Sequence, residues 1–190
     1  MSNTEIKLAI FDVDGTLTNG IYQMDERGVV TKSFYTRDFH GMMMLAQSGV
    51  DVVIMTQARD NVMPKQMGRI CQTIPEWEYL INAGRIRLMK GVDIKWNELM
   101  DLQNDRNINV ASMAFIGDAE NDIDCLKTVG FPCCPKDAIS EVREICLHKT
   151  DVFNSLTYFN GQVSGYKGGE GAVYDICKRI IEHNKILAAE

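Results

Sequence analysis

The feature that most constrains this chain is a four-residue apolar run, Leu8–Phe11, that stops on Asp12-Val13-Asp14-Gly15. A run of that length, bounded by polar turn residues, reads as a strand buried on both faces. Two longer runs repeat the arrangement: residues 50–55 stop at Thr56, and residues 111–116 stop at Gly117-Asp118. A shorter one covers residues 131–134. Segments of helical period separate the runs, at about 38–45 (ahead of Gly49), 60–70, 93–102, 120–127, 138–145 and 171–188. The last of these carries Val173, Ile176, Cys177, Ile180 and Ile181 on one stripe. Asp38 is the expected N-cap of its helix. Residues 75–88 read as an amphipathic helix around Trp77, Tyr79, Leu80 and Ile81, broken at Gly84. Residues 21–24 and 29–35 flank Asp25-Glu26-Arg27-Gly28 and read as a hairpin. Strands alternating with helices predict an α/β fold with a mainly parallel sheet.

Length and charge narrow the class. A chain of 190 residues, 45% hydrophobic, fits one domain spanning 1–190. Its net charge of −6 and pI near 5.1 argue against a nucleic-acid partner, which requires a basic face. They do not argue against phosphate chemistry, because a bound metal supplies positive charge locally. No apolar run approaches the roughly 18 residues of a membrane span. The first residues lack a basic start followed by an apolar stretch and a cleavage site, so the expected location is the cytoplasm. Six cysteines without a C-x-x-C pair, and three scattered histidines, give no zinc pattern and read as ordinary thiols and imidazoles. Met42-Met43-Met44, Trp77 and Trp96 are expected to fill the core.

In a parallel sheet, ligands bind beyond the carboxyl ends of the strands. The residues there are Asp12 and Asp14, then Thr56, then Asp118 with Glu120 and Asp122 close behind. Several carboxylates on one rim repel one another unless a cation sits among them, and an all-oxygen set suits Mg²⁺. Residues i and i+2 of an extended chain face the same side, so Asp12 and Asp14 can address one substrate while Val13 enters the core. One carboxyl can attack phosphorus and the other can carry a proton. Gly15 allows the tight bend that follows.

The string Phe11-Asp12-Val13-Asp14-Gly15-Thr16-Leu17-Thr18 resembles the first motif of the haloacid dehalogenase superfamily of phosphatases. Thr56 resembles the second motif, Lys95 at a helix start the third, and Gly117-Asp118 with Asp122 the fourth, G-D-x-x-x-D. Order and strand context agree over nearly the whole chain. The resemblance implies a Rossmann-like three-layer sandwich. It implies Asp12 as nucleophile, Asp14 as proton carrier, and Thr56 and Lys95 as phosphate-binding groups. Mg²⁺ would be held by Asp12, the Asp14 carbonyl and Asp118, with Asp122 orienting metal-bound water behind them.

Within that superfamily, the hairpin after the first motif, Thr36-Arg37-Asp38 with Gly41, and Gly168-Gly169-Glu170-Gly171-Ala172-Val173 are similar to the sugar-acid phosphatases acting on 3-deoxy-D-manno-octulosonate 8-phosphate. That likeness implies no cap domain, a hairpin flap at about 19–36, a C-terminal tail at about 161–190, and a homotetramer in which a neighbour's tail closes the site. The expected substrate is a phosphorylated 2-keto-3-deoxy sugar acid, met by Arg37 and Glu170. Three departures bear on that substrate: Glu170 replaces the tail's usual Arg, Gln57-Ala58-Arg59 follows Thr56, and residues 75–88 and 153–166 look like extra sequence. A glutamate in the tail also suits relatives acting on nine-carbon sugar acid 9-phosphates of the sialic acid type. A non-catalytic oligomerisation module, as found in some sialic acid cytidylyltransferases, is the remaining alternative. A response-regulator receiver is disfavoured by the D-x-D-G-T string with a hairpin next to it.

Overall fold

The computed structural model describes residues 4–148 and 163–189. Five parallel strands form the sheet, in the order β5-β4-β1-β6-β7: β1 Leu8–Phe11, β4 Asp51–Thr56, β5 Ile86–Lys90, β6 Met113–Ile116 and β7 Phe131–Cys133. Strand β1 is central because it carries no exposed residue; Leu8 pairs with Asp51 on one side and Met113 on the other. β2 (Gln23–Met24) and β3 (Val30–Thr31) form a separate antiparallel hairpin.

Period-2 alternation in the central strands feeds two cores. Ala9, Phe11, Val52, Ile54, Ala114 and Ile116 face one helical layer made of α1 (Thr36–Gln47), α2 (Val62–Thr73), α3 (Pro75–Asn82) and α7 (Ala172–Ala189). Leu8, Ile10, Val53, Met55, Met113 and Phe115 face the other, made of α4 (Lys95–Arg106), α5 (Ile123–Thr128) and α6 (Ser140–His148). This is the three-layer α/β arrangement that the alternation of strands and helices predicts. Trp77 is fully buried and meets Phe39 edge-on at 5.9 Å. Trp96 stays 41% exposed and donates its indole N–H to the Thr128 hydroxyl at 3.1 Å, so it packs only in part. Met42 lies in the core and Met43 packs against it. The six cysteines are free thiols. No helix among the described residues is long and apolar enough to cross a membrane.

Several local expectations require correction. Residues 75–88 are not one broken helix. The helix stops at Asn82, Gly84 turns the chain at φ +71°, and an edge strand, β5, follows. Basic residues in Ile86-Arg87-Leu88-Met89-Lys90 hide that strand in the sequence, and suit it to an edge, where charge blocks further pairing. The hairpin strands are much shorter than residues 21–24 and 29–35. Their turn is pinned by the Asp25 carboxylate, which accepts from Arg27 N and Val29 N at 2.9 and 2.8 Å. Asp38 does not cap its own helix, which begins at Thr36. Its fully buried carboxylate accepts from Tyr174 N at 2.9 Å at the start of α7. Burial lifts its pKa to about 6, against the pull of the Tyr174, Gly171 and Val173 amides. Gly41 has its own reason: a Cβ there would lie 2.8 Å from Tyr174 Cα, so only glycine lets α1 and α7 cross this closely. Of the extra sequence at 153–166, residues 153–162 lie outside the described residues.

Candidate active site

The site forms where β1, β4 and β6 end together. Asp12 N donates to Ile116 O at 2.9 Å, which extends the ladder by one residue and fixes the Asp12 backbone. The chain then coils: the amides of Thr16, Leu17 and Thr18 all converge on Val13 O at 3.3, 2.9 and 2.9 Å. Gly15 stands at φ +90°, and a Cβ there would lie 2.1 Å from the Asp118 carboxylate. The glycine of D-x-D-G thus serves a turn and, equally, the close approach of a third carboxylate.

Lys95 opens α4 and buries its ammonium between two aspartates, 2.5 Å from Asp12 Oδ1 and 2.6 Å from Asp122 Oδ1. Its side chain and that of Asp122 are wholly buried, and that of Asp12 almost so. Burial works against the lysine charge, but Asp12 and Asp122 overcome it and raise its pKa above the ordinary value. Asp122 turns its other oxygen back on the β6–α5 loop, accepting from Asp118 N at 3.0 Å and Ala119 N at 3.2 Å. Gly117 makes room for this carboxylate, since a Cβ would lie 2.4 Å from it. Asp122 is therefore spent on Lys95 and on the loop, and Asp118 is the least buried of the three aspartates. Thr16 donates its hydroxyl to Asp118 at 3.1 Å.

Asp12, Asp118 and Asp122 each offer an oxygen within 4.8 Å of the others. Three carboxylates stand here against one ammonium. Burial first, and then the neighbouring negative charges opposed by Lys95, push the Asp12 pKa well up and that of Asp118 to about 6. The cluster is short of positive charge, and its donors are all hard oxygens, so the residues present fit a divalent cation of the Mg²⁺ type.

Thr56 ends β4, buried at 2% exposure. Its hydroxyl oxygen accepts from Ala58 N at 3.0 Å, leaving its proton free to donate to a ligand. Gln57 braces this rim, donating to Asp93 O at 2.9 Å and accepting from Asn121 at 2.8 Å. Asp14 is less buried than the cluster; its side chain is 41% exposed and pairs at 2.9 Å with Lys32 of the hairpin. Lys32 also meets Asp60 at 3.0 Å. Neither Lys32 nor Asp60 was expected in the site from sequence. The available signal was a single charge in the otherwise apolar and hydroxylic stretch Val29-Val30-Thr31-Lys32-Ser33-Phe34.

The structure brings Asp12, Asp14, Thr56, Lys95, Asp118 and Asp122 to one rim. Arg37 and Glu170 are exposed and stand outside that hydrogen-bonded cluster. The glycine tail lies on its own chain's first loop: Gly169 N donates to Thr16 O at 3.1 Å, and Gly168 N donates to Asp137 at 2.9 Å. A Cβ on Gly168 would fall 1.8 Å from Gly15 O.

The family described as haloacid dehalogenase-like hydrolase matches residues 65–155, the stretch that contains Lys95, Asp118 and Asp122. The 3-deoxy-D-manno-octulosonate 8-phosphate phosphatase KdsC of Salmonella typhi is 25% identical over 176 residues, covering 93% of this chain and 79% of that protein. The crystal structure of the phosphatase of the same name from Yersinia pestis superposes with a TM-score of 0.71 at 26% identity, covering 98% of this chain and 86% of that one. The N-acylneuraminate cytidylyltransferase of Oncorhynchus mykiss is 26% identical over 133 residues, 70% of this chain but 28% of the enzyme.

Proposed function

We propose that this chain, a phosphatase of the haloacid dehalogenase-like hydrolase kind, hydrolyses a phosphorylated 2-keto-3-deoxy sugar acid of the 3-deoxy-D-manno-octulosonate 8-phosphate type through an aspartyl-phosphate. The observation that carries the reading is the Lys95 ammonium held 2.5 Å from Asp12, beside Asp118, with a part-exposed Asp14 two residues further along the same turn. One buried carboxylate is thereby oriented as a nucleophile, and a second, part-exposed one stands two residues away in the chain.

An Asp12 oxygen attacks phosphorus in line as the bond from phosphorus to the sugar oxygen breaks. Asp14 gives its proton to that leaving oxygen. Asp14, now a carboxylate, takes a proton from water; the water attacks phosphorus, the Asp12–phosphorus bond breaks, and inorganic phosphate leaves. Thr56 donates to a phosphoryl oxygen throughout. Lys95 holds the nucleophile in place and supplies fixed positive charge, so catalysis is mainly positioning and electrostatics. Asp12, Asp118 and the Asp14 carbonyl would hold Mg²⁺, which when bound neutralises charge on the phosphoryl group.

The substrate class rests on the likeness to the named phosphatases, and assembly as a homotetramer on the same likeness together with the hairpin. The hairpin leaves Ile21, Tyr22, Met24 and Val29 more than half exposed, an apolar surface suited to a second copy. Glu170, in place of the Arg expected in the tail, favours a second reading: a nine-carbon sugar acid 9-phosphate, whose extra hydroxyls a carboxylate can accept from.

Phosphate release with Mg²⁺ tests the reading on three groups of compounds: eight-carbon and nine-carbon 2-keto sugar acid phosphates, and neutral sugar phosphates. The expected preference is for the acids. Asp12→Asn should lose at least ~10³-fold in turnover. Near-normal release by that variant would refute the covalent route, and equal rates on neutral sugar phosphates would refute the substrate class.

A further inference from the structure

Lys32 directly follows the two-residue strand β3, outside the main sheet, yet its side chain is only 3% exposed. It reaches both oxygens of Asp14 at 2.9 Å and Asp60 at 3.0 Å, and lies 5.7 Å from the centre of the Tyr22 ring on the opposite limb of the hairpin. Asp60 is itself fixed: its other oxygen accepts from Val62 N at 2.9 Å, at the start of α2. Among the described residues, Lys32 thus joins three separate segments: the hairpin, the loop after β1 and the loop after β4.

Among the described residues, Asp14 has no comparable support elsewhere. Lys95 reaches Asp12 and Asp122, and Thr16 reaches Asp118. Asp14 projects from the turn with a large exposed face, and a side chain so placed loses rotamer freedom only through a partner. An ammonium gripping both oxygens supplies that partner and leaves the exposed face open to an ester oxygen.

We propose that Lys32 is a positioning residue for proton delivery: anchored by Asp60, it fixes the Asp14 carboxyl toward the leaving-group oxygen, so the hairpin is a part of the acid's mounting. The inference rests on the reading of Asp14 as proton carrier. It predicts a dependence on leaving group. Phenyl phosphate needs a proton on its departing oxygen, whereas p-nitrophenyl phosphate expels a stabilised anion and hardly needs one.

The test measures kcat/KM for both aryl phosphates with Mg²⁺, because kcat/KM reports steps up to ester cleavage. Lys32→Met should lose about 10–100-fold on phenyl phosphate, the scale of a misplaced catalytic group, and only a few-fold on p-nitrophenyl phosphate. Lys32→Arg should recover most of the difference. Asp60→Asn, which keeps an acceptor for Val62 N, should show a weaker form of the same bias. Asp14→Asn sets the ceiling. If Asp14→Asn discriminates between the esters and Lys32→Met slows both equally, the positioning role is overturned while the proton carrier stands. If Asp14→Asn itself shows no discrimination, the proton-carrier reading fails, and this inference with it. Should Lys32→Met misfold, the Arg and Asp60→Asn variants carry the same comparison.

Discussion

Two lysines in this molecule stand in the same electrostatic setting, each between two aspartates, and each touches one member of the Asp12-Val13-Asp14 pair. Lys95 belongs to a helix of the core, and both its partners are buried. Lys32 belongs to a hairpin whose outer side is exposed, and its partners keep 41% and 18% of their side chains in water. The difference separates what is permanent in the site from what can be released. A buried pair cannot give up one member cheaply, because the remaining charges have no water to turn to. A pair at the rim can open at small cost. The nucleophile is thus set by the core, and the group beside it by an appendage.

The largest expected effect breaks the likeness between the two. Lys95→Met should destabilise the protein by about 3–5 kcal/mol, because it strands Asp12 and Asp122 with no buried counter-ion. Lys32→Met should cost no more than about 1 kcal/mol. Chemical denaturation of both variants checks this, and equal losses would erase the distinction. Next in size is the response to metal. Saturating Mg²⁺ at about 100 times its Kd should add about 2.7 kcal/mol of stability to the wild type. Asp118→Asn should lose most of that gain, and Lys32→Met should keep it. Exhaustive chelation should abolish phosphate release, and full activity after chelation would refute the metal role of Asp118. Gly168→Ala should cost about 1–3 kcal/mol, because its methyl group must push the tail off Gly15. A fall in kcat/KM beyond the loss in stability would tie the tail to the site in the same chain.

A further effect is one of pH. Asp38 binds its proton more tightly folded, at about 6, than unfolded, near 3.8. Its contribution to stability is therefore fully present below pH ~3.8 and is lost as pH rises through about 6. Asp38→Asn keeps an acceptor for Tyr174 N and cannot ionise. The melting temperature of that variant relative to wild type should rise between pH 4.5 and pH 7.5. A constant difference would place the titrating group elsewhere.

Much of the Lys95 region is legible in the sequence: Asp12 and Thr56 close apolar runs, Asp118 follows one after Gly117, and Lys95 and Asp122 are marked by the resemblance. The Lys32 region is not legible in this way. Lys32, Asp60 and Asp14 lie in three segments with no shared spacing, and a lysine next to a short strand reads as a solvent charge. The misreading of Asp38 has a related cause. An aspartate near a helix start resembles a cap for that helix, whereas only the packing of α1 on α7 shows that it caps the other. Strand β5 escaped because two of its five residues are basic, which breaks the apolar signal on which the other strands depend.

The placement of β1 has a consequence for how the chain acquires its shape. Of the five strands of the sheet, the first in the chain lies in the middle, and its partner on one side, β6, begins only at Met113. The Asp12–Thr18 loop then takes a contact from Asp118 and another from Gly169. Such distant pairings close large loops before they return any contact energy, which places folding in the slow range for its size. A nascent chain shorter than the sheet therefore carries both aspartates of the first motif without a site around them. Competence arrives late and all at once, when the far end of the polypeptide settles onto the near one.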